Sequence, residues 1–138
     1  MIVSTRGRYA LRVMIDLAEQ GASSYVPLKD IAQRQGISQK YIEAIMTMLS
    51  KNGFVTGVHG RGGGYKLNKK PSQYKVGQIL TLTEGSLAPV ACLECDAAPC
   101  SKEKECRTLP LWKELDKRVS GYLNSITIAD LMKKSDAK

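Results

Sequence analysis

Histidine, aromatic side chains and long apolar runs are scarce in this sequence of 138 residues. His59 is the single histidine, and aromatic residues make up 6% of the chain. With one histidine and no pair of carboxylates placed for acid and base catalysis, nothing in the sequence supports an enzyme. No apolar run approaches the roughly 20 residues that cross a bilayer, and arginines stand near the N-terminus where a secretory signal needs apolar residues. We therefore expect a cytoplasmic protein that is not an enzyme.

Acidic residues are also few, and their shortage is confined to the first half of the chain. The formal net charge is +8. Residues 1–70 contain 11 Lys and Arg against 4 Asp and Glu, whereas residues 71–138 contain 10 against 9. A concentrated basic excess is typical of a polyanion-binding surface, because each neutralised phosphate releases condensed counterions. Nucleic acid is therefore the leading partner. An anionic membrane surface is a distant second, and we expect no membrane partner.

The spacing of apolar and turn-forming residues divides the chain into six helices and one β-hairpin. The predicted helices cover residues 5–20, 28–35, 38–52, 76–84 and 108–126, followed by a short helix after Thr127. The hairpin has strands within 54–58 and 65–67, joined by a glycine-rich turn. Residues 85–107 contain all the cysteines and show no regular period, so we predict a loop that needs a cross-link or a ligand. The tail at 133–138 is expected to be frayed.

The second and third predicted helices are separated by only a few residues, as in a helix-turn-helix. Their isoleucines can pack inward, and Gly36 permits a left-handed turn between them. Together with the hairpin, this predicts a mainly α fold with a small β-hairpin wing. Residues 1–84 then form a winged helix-turn-helix DNA-binding domain, 85–107 a cysteine-containing sensor loop, and 108–138 a dimerisation helix with a C-terminal tail.

The residues expected to contact DNA lie at the N-terminal end of the third helix and in the wing, because this end of the helix enters the major groove. Gln39 can pair with adenine edges, Glu43 can accept from a cytosine amino group, and Lys40 and Tyr41 can hold phosphate or guanine. Two wing residues can enter the minor groove. The predicted DNA-binding residues are Ser38, Gln39, Lys40, Tyr41, Glu43, His59 and Arg61.

Each of these residues also has a simpler interpretation. Ser38 can serve only as a helix cap, Arg61 as a solvated turn residue, and for His59 the two interpretations are about equal. The wing glycines do not predict a nucleotide site, because Tyr65, Lys66 and Leu67 follow them where a P-loop needs Lys and then Ser or Thr. As a set beside the basic half of the chain, the residues favour DNA contact.

The fifth predicted helix carries a broad apolar stripe. The stripe consists of Leu111, Trp112, Leu115, Val119, Tyr122, Leu123 and Ile126. A monomer this small would not leave so much apolar surface exposed, so we predict a homodimer formed through this helix. The alternative is that the helix folds back on its own domain.

The four cysteines form a cluster in the sequence. Cys92, Cys95, Cys100 and Cys106 have the spacing C-x2-C-x4-C-x5-C. Thiolates this close repel one another unless a cation holds them, and iron–sulfur clusters and zinc are the usual solutions. The spacing matches neither a zinc ribbon nor the bacterial ferredoxin run. We predict a metal site formed by these cysteines, while reversible disulfide sensing stays open.

Six segments spread over almost the whole chain carry a family resemblance: STRGRYALRVMIDLA, VPLKDIAQRQGISQKYIE, LSKNGFV, GRGGGYKL, the fourth helix ending in EG, and LPLWKELDKRV. They resemble the BadM- and IscR-type winged-helix regulators, which include iron–sulfur assembly, nitric oxide and cysteine-metabolism repressors. The resemblance implies a dimer held by the fifth helix and a two-fold-symmetric operator in double-stranded DNA. In many members three cysteines bind a cluster before that helix.

The resemblance implies Cys92, Cys100 and Cys106 as core ligands of an iron–sulfur cluster, [2Fe-2S] or [4Fe-4S], with zinc as the alternative. Cys95 is then a spare thiol, a fourth ligand or a redox partner. Two departures from the family stand out. The best-known cluster-binding branch has a histidine shortly after its last cysteine, and none follows here. The usual wing arginine is replaced by His59, with Arg61 two residues later, which implies a different operator preference.

The predicted function is a homodimeric DNA-binding transcription regulator, acting as a repressor, that senses iron–sulfur or redox status through a cysteine-ligated cluster. One alternative is the same fold without a cluster, controlled by a partner enzyme or by thiol oxidation. Another is a zinc-stabilised adaptor with no DNA role. The sequence does not decide whether the cluster promotes or prevents DNA binding.

Overall fold

The computed structural model describes residues 3–21, 24–94, 98 and 104–132. Cys95, Cys100 and the predicted frayed tail lie outside the described residues. The helices are α1 (Thr5–Glu19), α2 (Leu28–Gln35), α3 (Gln39–Lys51), α4 (Val76–Glu84), α5 (Leu109–Ser125) and α6 (Ile128–Leu131). The strands β1 (Val55–Val58) and β2 (Gly64–Leu67) form an antiparallel hairpin. The predicted mainly α fold with a β-hairpin wing and a long C-terminal helix is confirmed.

Two short segments of 3-10 helix complete the described structure, at Pro71–Gln73 before α4 and at Ala91–Leu93 in the loop before α5. None of the helices in the described part of the chain is long and apolar enough to cross a membrane.

The turn between α2 and α3 follows from local sequence. Gly36 has φ 65° and ψ 32°, a left-handed conformation that costs glycine little because it has no Cβ. The Ile37 N–H donates to the Ala32 carbonyl at 3.2 Å and closes the end of α2. The Ser38 hydroxyl then accepts from the Tyr41 N–H at 3.2 Å and caps α3. The helix-turn-helix is therefore specified by one glycine and one cap.

The main core joins α1, the helix-turn-helix, the base of the hairpin, α4 and α6. Its fully buried members include Ala10, Val13, Met14, Ile31, Ile42, Met46, Leu49, Ile79 and Ile128. The last of these lies in α6, near the end of the described chain. The Ile128 N–H donates to the Tyr74 carbonyl at 2.9 Å, and the Val76 N–H donates to the Ile126 carbonyl at 2.8 Å. The segment after α5 is thereby fixed to the start of α4.

The apolar stripe of α5 is only partly used within the chain. A smaller core of Val76, Leu80 and Leu87 packs against Leu123 and Ile126, at the C-terminal end of α5. No residue of α5 is buried. Leu111, Leu115 and Tyr122 stay 58%, 39% and 66% exposed. The helix therefore folds back on its own domain at one end only.

Candidate nucleic-acid interface and cysteine loop

The N-terminal end of α3 presents its predicted contact residues to solvent. All seven predicted DNA-binding residues are exposed, from Ser38 in the cap of α3 to Arg61 in the wing. Ser38 acts as a cap, as its simpler interpretation requires, and its hydroxyl still lies at the exposed end of the helix. Gln39, Lys40 and Glu43 form no hydrogen bond with their side chains in the described part of the chain. These polar groups are therefore available to base edges and phosphates.

A groove of about 330 Å³ separates the recognition helix α3 from the wing. Gln39 and Glu43 line it from α3, His59 from the wing, and Lys29 from the first turn of α2. The structure thus brings together three of the residues predicted to contact DNA. Lys40, Tyr41 and Arg61 are exposed outside this groove. Lys29 was missed by the sequence analysis, and only its position in the first turn of a helix-turn-helix pointed to it.

The wing is attached to the start of the helix-turn-helix. In the hairpin, Val55 is opposite Leu67 and Val58 is opposite Gly64. Val26, just before α2, pairs with Tyr65 of β2 through two backbone hydrogen bonds of 2.8 and 2.9 Å. A Cβ atom on Gly64 would lie 2.2 Å from the Val26 carbonyl oxygen, so glycine is required for this approach. The pairing fixes where the wing lies relative to α2 and α3.

Tyr74 closes the base of the wing. Its side chain is 2% exposed, and its hydroxyl donates to the Phe54 carbonyl at 2.7 Å. The same hydroxyl accepts from the Asn68 and Lys69 N–H groups at 2.9 and 3.0 Å. Burial raises the pKa of Tyr74 above its ordinary value, and the two N–H donors oppose that shift. The neutral phenol therefore connects the residue before β1 to the residues after β2.

A buried carboxylate joins α1 to α2. Asp16 is 3% exposed and accepts two hydrogen bonds from Arg34, at 2.7 and 3.0 Å, and one from Gln35 at 2.8 Å. The hydrogen bond to Asp16 raises the pKa of Arg34. Arg12 donates from Nε to the Gln35 side chain at 3.1 Å and from Nη2 to the Gln35 carbonyl. These four residues, Arg12, Asp16, Arg34 and Gln35, form what we call the α1–α2 polar network.

A pair of tyrosines joins α1 to the recognition helix. The rings of Tyr9 and Tyr41 meet edge to face, with centroids 5.5 Å apart and planes at 78°. The Arg12 guanidinium carbon lies 5.3 Å from the centroid of Tyr9, within the range of a cation–π contact. Tyr41 is 38% exposed, so part of its surface is used by Tyr9 and the rest faces solvent. Sequence reasoning placed Tyr41 on the DNA side but did not find this contact.

Two of the four cysteines lie within the described residues. Cys92, in the segment Ala91–Leu93, is exposed, and Cys106, three residues before α5, is half-buried; both are free thiols. The described residues contain no group of three or more side chains able to hold a metal. Cys95 and Cys100 lie outside that part of the chain.

The local structure at Cys106 favours the thiolate. The sulfur lies 3.4 Å from the Thr108 hydroxyl. A hydrogen bond from that hydroxyl, with smaller contributions from the N–H groups of Thr108 and Leu109, lowers the pKa of the Cys106 thiol. Thr108 occupies the cap position of α5 without a side-chain capping bond. Its hydroxyl instead forms the hydrogen bond to the Cys106 sulfur. A free thiol stabilised as thiolate fits the chemistry of a soft-metal ligand.

Fold and surface together define a class: a winged helix-turn-helix DNA-binding transcription regulator. Residues 3–134 match the Rrf2 family model, described as an iron-dependent transcriptional regulator. The chain belongs to the Rrf2 family. It is 40% identical over 136 residues to the HTH-type transcriptional regulator IscR of Serratia proteamaculans, covering 99% of this chain and 82% of that protein. The IscR of Yersinia pestis matches with the same identity and coverage.

Two solved structures of related regulators have the same fold. CymR (YrzC), the global cysteine regulator of B. subtilis, superposes with a TM-score of 0.76 at 35% identity, covering 95% of each chain. T. potens IscR superposes with a TM-score of 0.72 at 37% identity, covering 95% of this chain and 85% of that one. The family assignment made from sequence is confirmed, and so is the expectation that the protein is not an enzyme.

Proposed function

We propose that this protein is a homodimeric, cytoplasmic repressor that binds a two-fold-symmetric operator in double-stranded DNA and responds to iron–sulfur or redox status. The observation that supports DNA reading most directly is the groove in which Gln39 and Glu43 of α3 face His59 of the wing. A duplex held there would present its major-groove edges to α3 and its backbone to the wing.

The exposed side chains divide into two groups by the chemistry they offer DNA. Gln39 offers a donor and an acceptor that match an adenine edge, and Glu43 offers an acceptor for a cytosine amino group. Lys40 and Arg61 carry positive charge outside the groove and suit phosphate or a narrow minor groove. We assign base reading to the first pair and backbone contact to the second.

Replacing Lys40 or Arg61 by alanine is expected to weaken DNA binding without unfolding the protein, because both side chains are exposed. If Lys40 contacts a single phosphate, its loss lowers the slope of log affinity against log salt by about one unit and affects all sequences alike. Fluorescence anisotropy with a duplex that the protein selects from a random library measures both quantities. If both variants bound DNA as tightly as wild type at low and moderate salt, the proposed contacts of Lys40 and Arg61 with DNA would be wrong.

The exposed part of the α5 stripe supports the homodimer. Within the described residues, Leu111 and Leu115 join neither core of their own chain, and Tyr122 is two-thirds exposed. Three large apolar side chains on one helix favour burial against a second copy. Sedimentation at micromolar concentration is expected to give a dimer, and Leu115→Glu should shift it towards monomer because the charge would be desolvated in the interface. A wild-type monomer would overturn the assignment.

The cysteine loop is proposed to hold an iron–sulfur cluster through Cys92, Cys100 and Cys106. The support is the free thiols of Cys92 and Cys106, the lowered pKa of Cys106, and membership of a family described as iron-dependent. Cys95 completes the site in this proposal, since no histidine follows Cys106 in the sequence. An iron–sulfur cluster supplies a redox-sensitive and iron-sensitive cross-link when bound.

Serine at Cys92, Cys100 or Cys106 is expected to abolish visible absorption in anaerobically prepared protein, because a hydroxyl is a poor substitute for a thiolate. Serine at Cys95 should be equally severe, because the proposal makes Cys95 the fourth ligand, and a milder effect would show that another residue completes the site. All four variants should keep the far-ultraviolet circular dichroism of the wild type, because the main core of the described chain contains no cysteine. Operator affinity or selectivity should change instead.

Iron, sulfide and zinc analysis of the same preparations decides between the sensor and its alternatives. Wild type that takes up no iron after reconstitution would refute the cluster and leave DNA binding standing. A colourless protein with stoichiometric zinc would assign the cysteines to a structural site.

A further inference from the structure

The outward face of α1 carries positive charge that has no carboxylate partner in the described part of the chain. Arg8 and Arg12 lie one helical turn apart and are both exposed, and residues 1–15 contain no Asp or Glu. The ion pairs among the described residues join Arg34 to Asp16 and Arg118 to Glu114. Among the described residues, the Arg8 side chain forms one hydrogen bond, which it donates to the Thr5 hydroxyl at 3.0 Å.

The face is continuous with the recognition helix. Tyr9 contacts Tyr41 of α3, and Arg12 packs on Tyr9 while donating to the backbone carbonyl of Gln35 in α2. Arg8 lies one helical turn before Arg12 and therefore on the same side of α1. The structure holds Arg12 in place through these contacts and leaves Arg8 exposed, one residue before the tyrosine that contacts the N-terminal end of α3.

We infer that this face of α1 is a second phosphate-binding surface, which contacts the DNA backbone next to the α3 site. Arg8 supplies its exposed positive charge, and Tyr9 and Arg12 are held in place by their contacts with α2 and α3. The inference rests on the proposed DNA-binding function and extends it beyond the helix-turn-helix and wing. Phosphates line both edges of the major groove, so an element beside an inserted helix end meets them. A guanidinium matches phosphate with two parallel donors.

Neither Arg8 nor Arg12 forms an ion pair in the described part of the chain. Glu84, at the end of α4, lies at the N-terminus of α1, where its two oxygens accept hydrogen bonds from the N–H and hydroxyl groups of Ser4. Asp16 is buried in the α1–α2 polar network. The charge complementarity of the face is therefore to a polyanion, and its continuity with α3 identifies that polyanion as the same DNA duplex.

The test compares Arg8→Gln with Lys117→Gln, which removes the same charge from an exposed side chain on the side of α5 opposite its apolar stripe. Anisotropy titrations over a salt series use two probes: the duplex selected from a random library and an unselected random duplex. Arg8→Gln should weaken binding to both about three- to tenfold and lower the salt slope by about one unit, since a phosphate contact carries no sequence information. Arg8→Lys should restore the slope, and Lys117→Gln should behave as wild type.

A neutral methylphosphonate placed along each strand locates the contact. At one position in each half-site, the methylphosphonate should weaken binding by wild type and leave binding by Arg8→Gln unchanged. If wild type binds both probes and Lys40→Ala weakens binding, but Arg8→Gln matches Lys117→Gln at every salt concentration, the proposed α1 surface is wrong and the proposed function stands. If wild type binds neither probe, the proposed function fails as well. Circular dichroism melting of Arg8→Gln equal to that of wild type excludes a folding defect.

Discussion

Replacing Asp16 by alanine is expected to lower the free energy of unfolding by about 2–3 kcal/mol. The carboxylate is almost completely buried and accepts three hydrogen bonds from Arg34 and Gln35. Its loss removes the only carboxylate acceptor between α1 and the C-terminal turn of α2 in the described chain. The effect is smaller than for a fully buried pair, because Arg34 is 38% exposed and water can solvate part of its charge.

A double-mutant cycle with Arg34→Ala distinguishes a coupled network from two independent contributions. Arg34→Ala alone leaves the Asp16 carboxylate buried with only Gln35 as a side-chain donor among the described residues, so it should cost at least as much as Asp16→Ala. The double variant should be more stable than the sum of the single losses predicts by about 1 kcal/mol or more. Urea unfolding followed by circular dichroism gives the three values. Strictly additive losses would show that the polar network contributes nothing beyond its separate bonds.

The helix-turn-helix was predictable because its signals are local. Gly36 ends α2 in the left-handed conformation that the sequence suggested, and Ser38 caps α3. The apolar spacing of α1 is likewise a local signal: it predicted a helix over residues 5–20, and the structure has one over Thr5–Glu19, with Val13 and Met14 completely buried. Each of these inferences uses residues within one or two helical turns of one another, and the sequence displays those relations directly.

The relations that the sequence did not reveal are long-range. In the sequence, Asp16 is only one of the few acidic residues in the basic half of the chain. Nothing near it indicated that its partner is Arg34, 18 residues away. Val26 reads as loop, yet it pairs with the wing through Tyr65. Ile128 lies in a helix of 4 residues and reaches the main core. Such contacts depend on how separate elements pack, which apolar spacing within one element does not encode.

The candidate site shows the same division. Sequence reasoning identified the exposed end of α3, but only the structure gathers Gln39, Glu43 and His59 into one groove and excludes Arg61 from it. It also shows that the Tyr41 ring contacts the Tyr9 ring edge to face. Tyr9 and Tyr41 lie far apart in the sequence, so no local pattern indicated the contact between them.

Gly64→Ala is expected to cost about 3 kcal/mol and to abolish specific DNA binding. Gly64 has φ +150°, which strains any residue with a Cβ, and that Cβ would lie 2.2 Å from the Val26 carbonyl oxygen. Backbone cannot yield as a flexible side chain does. The two hydrogen bonds between Val26 and Tyr65 should therefore break, which releases the wing from α2 and from the groove at His59.

Gly62→Ala is the matched control, because it isolates backbone strain from the clash. Gly62 also has a positive φ, +73°, but no described atom lies within 4 Å of the position that a methyl group would take there, so its replacement should cost only about 1 kcal/mol. Urea unfolding gives the difference between the two variants. Hydrogen exchange at the Val26 and Tyr65 amides should be fast in Gly64→Ala and slow in Gly62→Ala. Equal stability of the variants, with both amides protected, would mean that the attachment of the wing to α2 does not depend on this glycine.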